Sequence, residues 1–131
     1  MQILGTGVDI VENIRIYKSL KDKKFINRIF TTSEIFHSKK TKDKSGYYAK
    51  RFAAKEAFAK AMGTGFRNEL NFKDISIINS KLGKPSFVIN EKLKKIIKKK
   101  FKTTSLNFFL SISDEKKYSI AFVILQKNND Q

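Results

Sequence analysis

The sequence has no cysteine, one histidine (His37), one proline (Pro85) and few acids, with 12 Asp and Glu against 28 Lys and Arg. Without cysteine, disulfides and thiolate-held metals are excluded, so any metal must be held by oxygen ligands, and the redox compartment is only weakly indicated. No apolar run approaches the roughly 20 residues that a bilayer span needs. Met1–Ile10 also lacks the charged start of a signal peptide. These absences predict a cytoplasmic protein with no membrane span. A chain of 131 residues is long enough for a real core and too short to conceal a second, so residues 1–131 are expected to form a single domain. No internal repeat, linker or extended low-complexity stretch divides it, and only the terminal KNNDQ reads as a frayed tail.

The net charge of +16 calls for an acidic partner: nucleic acid, an anionic membrane, a phosphorylated ligand or an acidic protein. Sign alone does not choose among these. Arginine occurs only at Arg15, Arg28, Arg51 and Arg67, whereas base and phosphate recognition often favours the arginine fork. Part of the lysine excess is therefore read as solvated surface.

Periodicity gives an alternation of elements. QILGTGVDIV reads as a short apolar strand broken by two glycines, and ENIRIYKSL after it has helical spacing. TTSEIFHSKK places hydroxyls before Glu34 in the manner of a helix start. GYYAKRFAAKEAFAKAMG is the strongest helix, ending at Gly63 or Gly65. FKDISIINS, PSFVI, LNFFLSIS and YSIAFVIL read as strands, with EKLKKIIKKKF an amphipathic helix after the second. The expectation is an α+β fold whose sheet is mainly antiparallel and packs against the long central helix.

The long helix contains the chemistry that has to be explained. At about 100° per residue, Ala54, Phe58 and Ala61 share one face with Tyr47, while Glu56 and Lys60 fall on the opposite side. Glu56 and Lys60 are i,i+4 neighbours in the favourable order, which by itself is worth only about 0.2–0.5 kcal/mol as an exposed pair. Taken alone, this pair reads as a structural salt bridge, and Asp9 in GVDIVE reads as a turn or capping residue.

The order of the parts changes that reading. GVDIVE at 7–12, RFAAKEAFAK at 51–60 closed by GTG at 63–65, GKP at 83–85 and SIS at 111–113 together resemble the holo-acyl-carrier-protein synthase family of phosphopantetheinyl transferases. The resemblance runs from residue 3 to about 126. It implies a 4′-phosphopantetheinyl transferase-like fold and transfer of the phosphopantetheine arm of coenzyme A to a serine of an acidic acyl carrier protein, with release of adenosine 3′,5′-bisphosphate, in fatty acid biosynthesis. Such a transfer needs a neutralised pyrophosphate and a prepared hydroxyl. Mg²⁺ suits it, with Mn²⁺ as the alternative, because both accept carboxylate and phosphate oxygens.

By this resemblance Asp9 and Glu56 hold the metal, and Glu56 takes the serine proton directly or through a metal-bound water. Lys60 reaches a phosphate and offsets charge on the leaving group. Lys42, Lys44 and Arg51 lie near the nucleotide, the two lysines having a solvated charge run as their equal alternative. Gly63 and Gly65 let backbone approach coenzyme A, and Gly83, Lys84 and Pro85 form a turn near adenine, with Ser113 also at the ligand. Arg15 is implied to dock the carrier protein, with Lys18, Lys21 and Arg28 as neighbours. Members of this short type are typically homotrimers with shared active sites.

One residue departs from the family pattern, because Asp114 stands where a histidine is usual. An ionised aspartate there would oppose the nucleotide phosphates unless it turned to Lys116 or Lys117. His37 lies in another segment and reads as a surface residue. Two other classes compete with the enzyme. A nucleic-acid-binding module is suggested by the charge and twelve phenylalanines, but these fall at core-like spacing and no RNA-recognition signature is present. A non-catalytic carrier-binding subunit is the second.

Overall fold

The computed structural model describes residues 2–67 and 69–128. The order of elements is β1 (Gln2–Glu12), α1 (Asn13–Ser19), α2 (Lys23–Ile29), α3 (Thr32–Ser38), α4 (Lys44–Met62), a 3₁₀ turn (Phe72–Asp74), β2 (Ser76–Asn79), β3 (Pro85–Val88), α5 (Glu91–Phe101), β4 (Leu106–Asp114) and β5 (Tyr118–Lys127). All the pairings are antiparallel, but the strands form two sheets: β1-β5-β4, and β2-β3 as a separate pair. The expected terminal fray does not extend to the first two residues of KNNDQ. Lys127 is still in β5 and Asn128 donates its N–H to the Ser105 carbonyl, while residues 129–131 lie outside the described residues.

The glycines of β1 do not break it. Gly5 and Gly7 alternate onto the side of the strand that meets α4, where a Cβ would lie 2.1 Å from the Ala61 carbonyl oxygen and 1.9 Å from that of Ala57. Only glycine allows the two backbones to come this close. Across the interface the helix also supplies small side chains, Ala53, Ala57 and Ala61, all buried. The strand stays continuous because its backbone pairs along β5 from Gln2 to Glu12, with one register shift between Ile3 and Gly5.

α4 is buried on more than the face the helical wheel assigned. Ala54, Phe58 and Ala61 are in the core as expected, but Ala59, Met62 and Lys55 are buried as well. The reason is its central position: the three-stranded sheet covers one side, and α3 with β2 and β3 closes another. The Phe58 ring packs against Phe87 of β3 and Phe108 of β4, with centroids 4.8 and 4.4 Å away. The helix ends at Gly63, which adopts the left-handed conformation (φ 79°) and donates its N–H to the Lys60 carbonyl.

Phe30 and Phe58 are fully buried and most other phenylalanines pack on the core, but Phe36, Phe109 and Phe122 are exposed. Two of these lie on the outer face of the three-stranded sheet. There Val8 pairs with Phe122 and Ile10 with Ile120, and Phe109 faces Ile124. Val8 is 53% exposed, Ile10 60% and Phe109 51%, an apolar face on a strongly basic chain.

Candidate active site

Asp9 projects from β1 on the side facing α4, at the register position of Ala121. The close approach through Gly5 and Gly7 brings it to Lys60, whose Nζ is 3.2 Å from Asp9 Oδ1 and donates to the Val8 carbonyl at 2.9 Å. The i,i+4 pairing of Lys60 with Glu56 expected from the helix alone does not form. Asp9 and the Val8 carbonyl offer two acceptors at once, and Glu56 makes no ion pair among the described residues.

Asp9 and Glu56 face one cavity of about 380 Å³, which Arg15, Phe25, Phe52 and Lys60 also line. Burial pushes the Asp9 carboxyl above its ordinary range, with the Lys60 hydrogen bond and charge opposing. Glu56 is also raised, first by burial and then by the Asp9 charge, again against Lys60. Two half-desolvated acids with one exposed lysine paired to Asp9 form a site that favours an added cation. Among the described residues no three His, Asp or Glu side chains converge, so such a cation would complete its shell with water and substrate oxygens. Hard oxygen donors in that number fit Mg²⁺.

Arg15 joins this site because α1 leaves β1 at a fixed angle. Asn13 is buried, donates from Nδ2 to the Glu115 and Lys116 carbonyls, and accepts from Ser119 Oγ at 2.8 Å. Lys18, Lys21 and Arg28 are exposed and do not line the cavity.

Of the residues expected at the nucleotide, Arg51, Gly83 and Pro85 gather away from the two carboxylates, with Asp114 and the further residue Lys50. Lys50, Arg51, Gly83, Pro85 and Asp114 line a separate cleft of about 130 Å³. Five residues along α4 turn Glu56 roughly 140° away from Arg51. Gly83 takes a left-handed φ of 89°, which the turn before Pro85 requires. Lys84 is exposed beside it. Asp114 does not turn to Lys116 or Lys117: it faces this cleft, 4.0 Å from Lys50 Nζ. A lysine on α4 thus offsets the charge expected to oppose a phosphate.

Other expected positions separate from the cleft. Lys44 donates to the Ser38 and Thr41 carbonyls, so its ammonium closes the turn before α4, and Lys42 is exposed. Ser113 alternates to the outer face of the sheet, opposite Ile120. His37 is exposed, as expected, yet lines a small cavity with Tyr47, Arg51 and Asn79. A larger opening of about 550 Å³ lies between Thr64, Leu70 and α5, but its one acid, Glu69, is paired with Lys99 at 3.6 Å.

The supports of Arg51 were not legible in the chain. Its guanidinium lies 3.6 Å from the Tyr47 ring centroid, donates from Nη1 to the Tyr47 carbonyl, and donates from Nη2 to Asn79 Oδ1 at 2.6 Å. Burial lowers its pKa from the usual arginine range, with Tyr47 opposing.

Residues 5–123 match the 4′-phosphopantetheinyl transferase superfamily, and the chain belongs to it. Within that superfamily it is an enzyme of the holo-[acyl-carrier-protein] synthase type. It is 70% identical over 127 residues to the holo-[acyl-carrier-protein] synthase of Pelagibacter ubique, covering 97% of this chain and 99% of that one. The crystal structure of holo-[acyl-carrier-protein] synthase from Neisseria meningitidis superposes with a TM-score of 0.87 at 40% identity, covering 96% of this chain and all of that one (100%). That from Bacillus anthracis, solved in complex with coenzyme A (3′,5′-ADP), gives 0.80 at 37% identity over 98% of this chain and 100% of that one.

Proposed function

We propose that the chain transfers the 4′-phosphopantetheine group of coenzyme A to a serine of an acidic apo-acyl carrier protein, in the cytoplasm, as a step serving fatty acid biosynthesis. The observation that carries this reading is the convergence of Asp9 and Glu56, from strand and helix, on one cavity with Lys60 and Arg15. Asp9 and Glu56 would hold Mg²⁺, which would supply positive charge at the pyrophosphate. Glu56, kept above the ordinary carboxylate range by burial and by Asp9, accepts the serine proton. Lys60, half exposed and already directed at Asp9, moves its ammonium to the phosphate that leaves. Arg51, over Tyr47, meets the nucleotide phosphates with the Gly83–Pro85 turn beside it. Incubation with apo-acyl carrier protein, coenzyme A and Mg²⁺, followed by weighing the carrier, tests this: a gain of one phosphopantetheine is expected, and an unchanged carrier mass rejects it.

Arg15 is exposed at the mouth of the carboxylate cavity, where an acidic carrier has to deliver its serine. Arg15→Glu is expected to raise KM for the carrier protein about tenfold or more, with much less change in KM for coenzyme A and a weakened salt dependence. Equal effects on both substrates would remove Arg15 from docking.

The active assembly is a homotrimer. Two features support this: the carboxylate cavity and the Arg51 cleft lie on different sides of α4, so one copy does not close a single site, and the outer sheet face with Ile10, Phe109 and Phe122 is apolar and exposed. Phe122→Glu is expected to convert a trimer into monomers in light scattering and to lower transfer by at least about tenfold, since a charge buried in such an interface costs several kcal/mol. A wild-type chain that scatters as a monomer rejects this assembly.

A further inference from the structure

We infer that the buried pair Glu34–Lys55 is a positioning device for Arg51, and so sets the affinity for the anionic nucleotide end of coenzyme A; this rests on the reading of Arg51 given above. Glu34 and Lys55 are 1% and 0% exposed at the side chain, and their charges meet at 2.7 Å. Neither lines the carboxylate cavity or the Arg51 cleft. Each instead ties down backbone that carries Arg51's supports.

Glu34 Oε2 accepts the Ile77 N–H of β2 at 2.9 Å, and Lys55 Nζ donates to the carbonyls of Phe72 and Ile75 just before that strand. Thr31 Oγ1 and Ser76 Oγ add a contact of 3.1 Å. β2 pairs only with β3, and a two-stranded ribbon has little stability of its own, so its position follows from these anchors. β2 ends in Asn79, which accepts from Arg51 through Oδ1 and donates through Nδ2 to the Gly83 carbonyl at 3.1 Å. One amide therefore sets both the guanidinium and the turn before Pro85.

The second support runs to the same glutamate. Tyr47, whose ring lies under the guanidinium, donates its hydroxyl to the Glu34 backbone carbonyl. That carbonyl belongs to the first turn of α3, where the Glu34 side chain also closes the capping box with Thr31. Glu34 thus holds Tyr47 from one side of Arg51 and β2 from the other. Lys55, one turn along α4 from Arg51, fixes Glu34 to the helix that carries the guanidinium. The Tyr47 support thus ends on the Glu34 main chain, and the Asn79 support lies two residues beyond the Ile77 N–H that the Glu34 carboxylate holds.

The test compares Glu34→Gln, Lys55→Met and Tyr47→Phe with Arg51→Ala in steady-state kinetics, with circular dichroism as the check on folding. Glu34→Gln and Tyr47→Phe are expected to raise KM for coenzyme A about three- to tenfold, with smaller changes in kcat and in KM for the carrier. In an Arg51→Ala background, Tyr47→Phe is expected to have no further effect on KM for coenzyme A. Tyr47→Phe leaves the buried pair in place, so it is informative even where Glu34→Gln or Lys55→Met does not fold. If Arg51→Ala raises KM for coenzyme A while Tyr47→Phe, or a folded Glu34→Gln, does not, the positioning inference is overturned and the role of Arg51 stands. If Arg51→Ala leaves that KM unchanged, both are overturned.

Discussion

Asp9→Asn and Glu56→Gln are each expected to lower transfer by at least about a hundredfold while the fold persists. Each swap keeps the shape of the side chain and removes the charge, and the scale is set by the loss of a single preorganised oxyanion-hole donor, which costs about 2.7–4 kcal/mol, or two to three powers of ten in rate. Asp9 also anchors Lys60 at 3.2 Å, so Asp9→Asn is expected to loosen the lysine proposed to offset the leaving phosphate as well as to remove the proposed metal ligand. On the proposed reading, Glu56→Gln also removes the group that takes the serine proton.

Stability separates a functional loss from an unfolded protein. Both carboxyls are raised by burial, so the folded chain favours their protonated forms. The contribution from these groups is present at low pH and is lost as pH rises through the raised folded values. At neutral pH the metal-free amide variants are therefore expected to melt no lower than wild type. Mg²⁺ is expected to raise the melting temperature of wild type and not of Asp9→Asn. Near-normal turnover of both variants at limiting Mg²⁺ would reject the metal pair, and an equal thermal response to Mg²⁺ would reject Asp9 as a ligand.

Gly7→Ala is the second large effect, and it acts on the backbone. The added Cβ would stand 1.9 Å from the Ala57 carbonyl oxygen and 2.8 Å from the Ala61 nitrogen. Both are main-chain atoms inside α4, so neither can rotate aside, and β1 has to leave the helix. A loss of about 3 kcal/mol or more is expected, a fall in melting temperature of about 10 °C or more. Transfer falls with it, because Asp9 is carried on the same strand two residues away. Thr6→Ala, exposed between the two glycines, provides the control and should stay within about 0.5 kcal/mol. A Gly7→Ala protein melting within about 2 °C of wild type would mean that the strand and helix are not in this close contact.

Local pattern determined much of this protein. Helical spacing and the closing Gly63 marked α4, and the hydroxyl before Glu34 marked the start of α3. Alternation marked β4 and β5 with nearly their observed limits. These signals act through backbone geometry within a few residues, so they survive in the chain alone. The site residues Asp9, Glu56 and Lys60 were also legible, but only as an ordered set of motifs matching a known family, since one carboxylate or one i,i+4 pair has an ordinary structural use.

Tertiary structure decided what those residues do to one another. Spacing on one helix paired Lys60 with Glu56, yet β1 crosses close enough, through glycines read as interruptions, for Asp9 to take the lysine. Nothing in the spacing of RFAAKEAFAK marks Lys55 as buried, yet it is fully buried, because burial depends on what covers a face and α4 is covered on more than one side. The strands divided into two sheets rather than one, which set the carboxylate cavity and the Arg51 cleft on different sides of the helix. Periodicity records which residues are apolar and at what spacing. It holds no information on which distant backbone comes to lie opposite, and that juxtaposition, made at Gly5 and Gly7 and at the Glu34–Lys55 pair, determines the electrostatics of the site.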